Sequence, residues 1–185
     1  MTGISIGWLA RRRARKAAAG NAYAGLMKAA LAPDFYLTGD VADTFEGRAG
    51  MVMVHAALAL RRMKGIPGKE AAGLAAALNM RVLDGFDAAY REQGVGDSSI
   101  ARKVRKLAEA YYGLGLALTA ALNETSDEAR KSGVEAVLAR NAVTESSRAA
   151  GLAAWLCTLA DGLEAQQDSE ILAGNLDWQT GAKVR

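Results

Sequence analysis

The sequence predicts an all-α protein, folded as a single-domain bundle of about six helices. Alanine is the commonest of the 185 residues, hydrophobic residues make up 51%, and proline occurs only at Pro33 and Pro67. An alanine-rich, proline-poor chain favours helices that approach one another closely. That apolar content supports one sizeable core and argues against disorder. Apolar residues recur at spacings of three and four, with no βαβ pattern and no fixed-period repeat.

The first helix covers 8–32, with an apolar stripe at Tyr23, Met27, Ala30 and Leu31, and Pro33 stops it. Residues 34–46, with Gly39 and several acids, read as a structured connection. The second helix runs 47–64 and ends at the breaker Gly65-Ile66-Pro67-Gly68. The third, 69–91, buries Leu74, Leu78, Val82 and Phe86, with Tyr90 at its margin, and places Asp87 one turn before Arg91 to pair with it. Gly94 and Gly96 then supply a turn, and Asp97 or Ser98 caps the next helix.

That fourth helix, 98–122, keeps apolar residues at 100, 104, 107, 111, 114, 118 and 122, while Gly113 and Gly115 mark a bend or a close helix contact. The fifth, 127–140, carries Val134, Val137 and Leu138. The sixth, 145–166, carries Leu152, Trp155, Leu156, Leu159 and Leu163. A tail with Ile171, Leu172, Leu176 and Trp178 clasps the body at a place the pattern does not assign. The chain thus divides into a basic segment at 1–22 that is helical in part, a helical domain at 23–166, and a tail at 167–185.

The net charge of +3 is unevenly spread. Arg11, Arg12, Arg13, Arg15, Lys16 and Lys28 precede Asp34 with no acid among them, leaving 17 basic against 20 acidic residues in the rest. So modest and local a positive charge argues against a dedicated DNA binder. The basic run after Trp8-Leu9 suits peripheral contact with an anionic membrane or with ribosomal RNA, and equally a solvated helix start. A second cluster, Arg102, Lys103, Arg105 and Lys106, follows the glycine turn on one helix and offers a docking surface. The longest apolar run near the middle, 51–60, is too short to span a bilayer, and Trp8-Leu9 before the arginines is the wrong order for a secretory signal.

Catalysis has little material. His55 is the only histidine and Cys157 the only cysteine, so no zinc set can be assembled and no disulfide framework exists, which fits a reducing compartment. His55 lies in an apolar helix, and the residues alone leave open packing, a binding contact or general-base work. Cys157, between Trp155 and Leu159, reads as inert core. The Gly94–Gly96 turn lacks the strand and the Gly-Lys-Ser/Thr ending of a phosphate loop. No cofactor is expected.

Three blocks resemble the ubiquinol–cytochrome c chaperone family, assembly factors for the cytochrome bc1 complex. The first is Asp34-Phe35-Tyr36 with Val41-Ala42-Asp43-Thr44-Phe45-Glu46-Gly47-Arg48. The second is MVMVHAALALRRMK at 51–64, with His55 and the Arg61-Arg62 pair. The third runs from Phe86-Asp87 through Arg91-Glu92-Gln93-Gly94-Val95-Gly96-Asp97 to Lys103-Val104-Arg105-Lys106 and Tyr111-Tyr112-Gly113. They cover roughly residues 23–122 in the family's order. Two departures stand out: Ala49-Gly50 follows Arg48 where family members usually carry an acidic and aromatic pair, and Leu114 follows Gly113 where they usually carry arginine.

The resemblance implies a helical protein without catalysis that binds newly made cytochrome b near the membrane. Mitochondrial members also associate with the ribosome near its exit tunnel. For a bacterium-like chain the corresponding place is the cytoplasm, peripheral at the inner face of the cytoplasmic membrane. The residues nominated for client or partner contact are His55, Arg48, Arg61, Arg62, Arg91, Glu92, Asp97, Arg102, Lys103, Arg105 and Lys106. Those nominated for membrane or RNA contact are Trp8, Arg11, Arg12, Arg13, Arg15 and Lys16. Two other readings stand beside this one: a helical lipid- or small-molecule-binding protein with an apolar pocket near His55, and a helical enzyme, which the shortage of catalytic groups disfavours.

Overall fold

The computed structural model describes the backbone of residues 3–94, 97–141, 143–145 and 147–179, and the side chains among these from residue 7 onward, 97 and 98 excepted. Gly96 and the side chains of Asp97 and Ser98, in the expected glycine turn and cap, lie outside the described residues. Among the described residues the structure is all-α, with six long helices and two short ones: α1 (Gly3–Ala30), α2 (Asp34–Leu37), α3 (Phe45–Gly65), α4 (Lys69–Glu92), α5 (Asp97–Leu122), α6 (Asp127–Arg140), α7 (Ala149–Ala165) and α8 (Asp168–Ala173). The six long ones are those the periodicity predicts.

α3 is the centre, packed against α1, α4, α5 and α7. It is buried on nearly every side from Ala49 to Ala59, as expected of a helix apolar all round. Its start is set by Thr44, whose Oγ1 accepts the Gly47 amide at 3.1 Å. A β-carbon on Gly47 would sit 2.2 Å from the Ala42 carbonyl oxygen, so only glycine lets the chain turn into this helix.

Around α3, α4 buries Leu74, Leu78, Val82 and Phe86. α5 buries Ile100, Tyr111, Leu114, Leu118 and Leu122, with Val104 and Leu107 half-buried. Of the two glycines in α5, Gly115 faces Ala57 of α3 and Gly113 faces open space, so one marks a helix contact and neither a break. Gly94 has the left-handed backbone expected of it, φ 71°.

Two expectations are corrected. The buried stripe of α1 is Ala18, Ala19, Ala22, Leu26 and Ala30, while Tyr23, Met27 and Leu31 flank it half-buried. Small alanines allow the close approach to the neighbouring helices that Tyr23 would prevent. α7 starts at Ala149 and not near 145, because Val143 packs on Gly50 and the Thr144 hydroxyl donates to the Asp40 carbonyl.

The tail has a definite place. After α8 the chain turns at Gly174 (φ 84°), where a β-carbon would lie 2.1 Å from the Ala18 carbonyl oxygen. The Gln166 side chain then brackets the returning strand, donating to the Asn175 carbonyl (2.5 Å) and accepting from the Asp177 amide (3.0 Å). This lays Leu176 and Trp178 against the core.

Candidate functional site

The returning tail closes one side of a cavity of about 590 Å³ whose lining includes Phe35, His55, Trp155 and Trp178. These come from α2, α3, α7 and the tail, so the pocket exists only once four distant segments meet. His55 is 1% exposed. Its Nδ1 donates to the Met51 carbonyl at 2.8 Å, which leaves Nε2 as the acceptor of a neutral ring. Burial pushes its pKa down to about 4, against a smaller opposing effect of that hydrogen bond.

Three rings surround it. Trp178 lies 5.2 Å away, Trp155 5.9 Å and Phe35 6.2 Å, while Phe35 and Trp155 meet edge to face at 5.0 Å. Trp178 reaches this position because Gly25 of α1 leaves room; a β-carbon there would be 3.4 Å from its Nε1. That Nε1 is buried and has no hydrogen-bond partner among the described residues. Asp34, Asp40, Asp177 and Lys28 add polar groups to the lining.

The nominated arginines divide by role. Arg62 is buried, donating from Nε to the Leu163 carbonyl (2.7 Å) and from Nη2 to the Gln166 carbonyl (2.7 Å) and Asp168 (2.5 Å). Arg61 pairs with Glu164 at 2.6 Å and donates to Asn123. Both tie α3 to the end of α7. Arg48 pairs with Asp43 at 2.6 Å, and its guanidinium lies 4.7 Å from the Tyr36 ring centre. Burial is the main cause raising the Tyr36 phenol to about 12. Arg91 pairs with Asp87 as the spacing predicts, at 2.8 Å, and Glu92 is exposed.

On α5, Arg102, Lys103, Arg105 and Lys106 are all exposed. Lys103 lies 5.7 Å from the Tyr90 ring, and Arg105 reaches Glu109 at 3.8 Å. The side chains of Arg11, Arg12, Arg13, Arg15 and Lys16 are exposed along α1, with Arg12 5.6 Å from the half-exposed Trp8 ring. Neither cluster lines the His55 cavity.

Cys157 is 4% exposed, and burial raises its thiol pKa. Among the described residues, no group of three or more His, Cys, Asp or Glu could hold a metal ion, and no helix is long and apolar enough to cross a membrane. Sequence reasoning did not bring Trp178, Trp155 and Phe35 together as one site, having placed Trp155 on the sixth helix, Trp178 in the tail and Phe35 in the connection before the second helix. The only available signal was aromatic residues placed singly on otherwise apolar or polar segments, which carries no distance information.

A family model described as ubiquinol–cytochrome C chaperone matches residues 38–178. That span takes in His55, Trp155, Trp178 and the α5 basic face and leaves out Trp8 and the basic run after it. Among solved structures, the chain is similar to one titled as the Cbp3 homolog from Brucella abortus, at 28% identity over 97% of this chain and 99% of that one, with a TM-score of 0.81. Comparison with curated proteins gave no match.

Proposed function

The chain belongs to the ubiquinol–cytochrome C chaperone family, and from that premise we propose that it serves assembly of the cytochrome bc1 complex as a non-catalytic chaperone that binds newly made cytochrome b. The family match over most of the chain carries this reading, with the whole-length likeness to the Cbp3 homolog in support. The exposed cations Arg102, Lys103, Arg105 and Lys106 are the docking face, for client acids, the ribosome or lipid headgroups. The run Arg11, Arg12, Arg13, Arg15 and Lys16 beside Trp8 supplies a peripheral membrane or RNA contact at the inner face of the cytoplasmic membrane. Both assignments rest on exposure and concentrated charge.

Deleting the gene and measuring spectroscopic cytochrome b with assembled bc1 complex tests the role; normal levels of both would refute it. Reversing the four α5 charges in a folded variant should reduce co-purification with nascent cytochrome b or ribosomes, and unchanged recovery of both would remove the patch from the proposal. The cavity beside His55 favours a second reading, a lipid- or small-molecule-binding protein. Normal bc1 levels in the deletion strain together with a ligand retained in that cavity would select it.

A further inference from the structure

We propose that the strap 175–179 is an intramolecular stand-in for a partner polypeptide, displaced from its groove by an extended segment with large apolar residues at alternate positions. The groove is walled by Gly25 of α1, Phe35 of α2, His55 of α3 and Trp155 of α7. The strap that covers it is neither helix nor turn. Along it burial alternates: Leu176 and Trp178 are half-buried, while Asn175, Asp177 and Gln179 are exposed. A period of two is that of an extended chain lying with one face on a surface. The groove thus already holds one segment of the kind it is proposed to accept.

The strap is read through its main chain. The Gln166 amide donates to the Asn175 carbonyl and accepts from the Asp177 N–H. In an extended chain a carbonyl and the N–H two residues on point the same way, so any such segment without proline there offers the same two bonds. Recognition of this kind draws affinity from the backbone and selectivity from seats for alternate side chains. It separates a polypeptide from a lipid or a small ring compound, neither of which presents that pair along a chain.

The strap is also an imperfect fit, which makes it displaceable. A space of about 590 Å³ remains between it and the helices, so it covers the groove without filling it. Trp178 Nε1 is buried and has no hydrogen-bond partner among the described residues, so seating the indole strips water from a donor and returns no bond. A segment whose side chains fill the space makes contacts that the strap leaves unmade, and release restores water to the indole. Tethering opposes release, since a linked segment competes at an effective concentration on the order of millimolar. The strap therefore keeps an apolar groove covered and yields only to a segment that fits better. The identity of the partner rests on the chaperone reading: a client exposes apolar residues on an extended segment only before it folds.

The test titrates the purified full chain with two capped heptapeptides of one composition, the alternating Ser-Phe-Ser-Leu-Ser-Phe-Ser and the permuted Ser-Phe-Leu-Ser-Ser-Phe-Ser. Calorimetry gives the affinity, and Trp178 emission in a Trp8→Phe/Trp155→Phe background follows the strap. The alternating peptide should bind at least about tenfold more tightly than the permuted one and shift that emission to the red. Leu176→Ser/Trp178→Ser weakens the strap and keeps the groove, so it should bind the alternating peptide at least about tenfold more tightly than wild type, the open fraction having risen. Gly174→Ala, which lifts the strap with its side chains unchanged, should move the affinity the same way. Adding Gln166→Ala to Leu176→Ser/Trp178→Ser should take back about tenfold by removing the backbone reader. Equal binding of the two peptides, no gain in either strap variant, binding without a shift in Trp178 emission, or no binding at millimolar peptide would overturn the proposal. So would a wild-type dimer that Leu176→Ser/Trp178→Ser dissolves, because the groove would then serve a second copy. None of these readouts depends on cytochrome b. Displacement of the strap alongside normal bc1 levels in a deletion strain would refute the chaperone reading and leave the groove standing; the reverse pair would refute the groove alone.

Discussion

Replacing Arg62 with methionine should destabilise the protein by about 3 kcal/mol. Methionine keeps the unbranched apolar stem and removes the guanidinium. That group donates to the Leu163 and Gln166 carbonyls, both at the end of α7, where no intrahelical N–H remains to satisfy them. Charge-assisted bonds of this kind contribute about 1.5–3 kcal/mol each. The ion pair with Asp168 adds little, because that carboxylate side chain is 56% exposed and water screens it. Methionine also escapes the desolvation of a buried charge, which offsets part of the loss and sets the net near the lower end of the sum.

Urea unfolding followed by circular dichroism, with the slope unchanged, would measure this, and the melting temperature should fall by about 6–12 °C. Asp168→Asn should cost under about 1 kcal/mol. A loss below about 1 kcal/mol for Arg62→Met, or an equal loss for Asp168→Asn, would refute the view that Arg62 acts chiefly by capturing two helix-end carbonyls.

Other substitutions test neighbouring parts of the structure. Tyr111→Phe removes a buried hydroxyl that has no partner among the described residues, and should raise stability by about 1 kcal/mol; a drop in melting temperature would mean the hydroxyl is bonded. Gly174→Ala forces both a left-handed alanine and a clash with the Ala18 carbonyl, so the tail should lift and Trp178 fluorescence, read in a Trp8→Phe/Trp155→Phe background, should shift to the red; an unchanged spectrum would refute the tight turn. His55 has its folded pKa depressed from 6.5 to about 4, so its contribution is complete above pH 6.5 and is lost as pH falls towards 4, while the unfolded chain takes up the proton and the folded one does not. The difference in stability between the wild type and His55→Gln should therefore shrink by about 3 kcal/mol over that interval, and a constant difference would show that the ring is protonated or solvated in the fold.

What the sequence made legible was local. The five helices after the first end within a few residues of their expected bounds, since three-four spacing, Pro33, the 65–68 breaker and the Asp87–Arg91 pair all act within one or two turns. The buried stripe of α1 was misplaced because weight was given to Tyr23 and Met27 over alanines, which score as weakly apolar yet are the residues two helices need in order to touch. Arg62 was nominated for client or partner contact, and its structural bonds were not foreseen. A signal was present: α3 is apolar on every side up to Leu60, and Met63 after the arginine pair is also buried, so one arginine had to face inward. A pocket near His55 was legible only as an alternative, and its walls were not legible, because Phe35, His55, Trp155 and Trp178 meet only through the bundle and the Gln166 bracket, and no spacing along the chain encodes that meeting.

The structure also sorts the basic residues by what the fold asks of them. Arg61 and Arg62 join α3 to the end of α7, and Arg130 donates to Asp161 and to the Cys157 carbonyl, so each ties two elements together. Among the described residues, Arg102, Lys103, Arg105 and Lys106 tie nothing between elements except through the Lys103 contact with Tyr90. Like charges one turn apart cost an isolated helix a few tenths of a kcal/mol per pair, and the Arg105–Glu109 pair, exposed on both sides, recovers little of that. Among the described residues, folding makes little use of the four cations within two turns of α5. The Arg62 bond to the Gln166 carbonyl has the opposite character: the same residue's side chain brackets the tail, so a buried arginine on α3 helps position Trp178 beside His55. Of the cations that the fold ties between elements, Arg62 thus also helps to build the pocket.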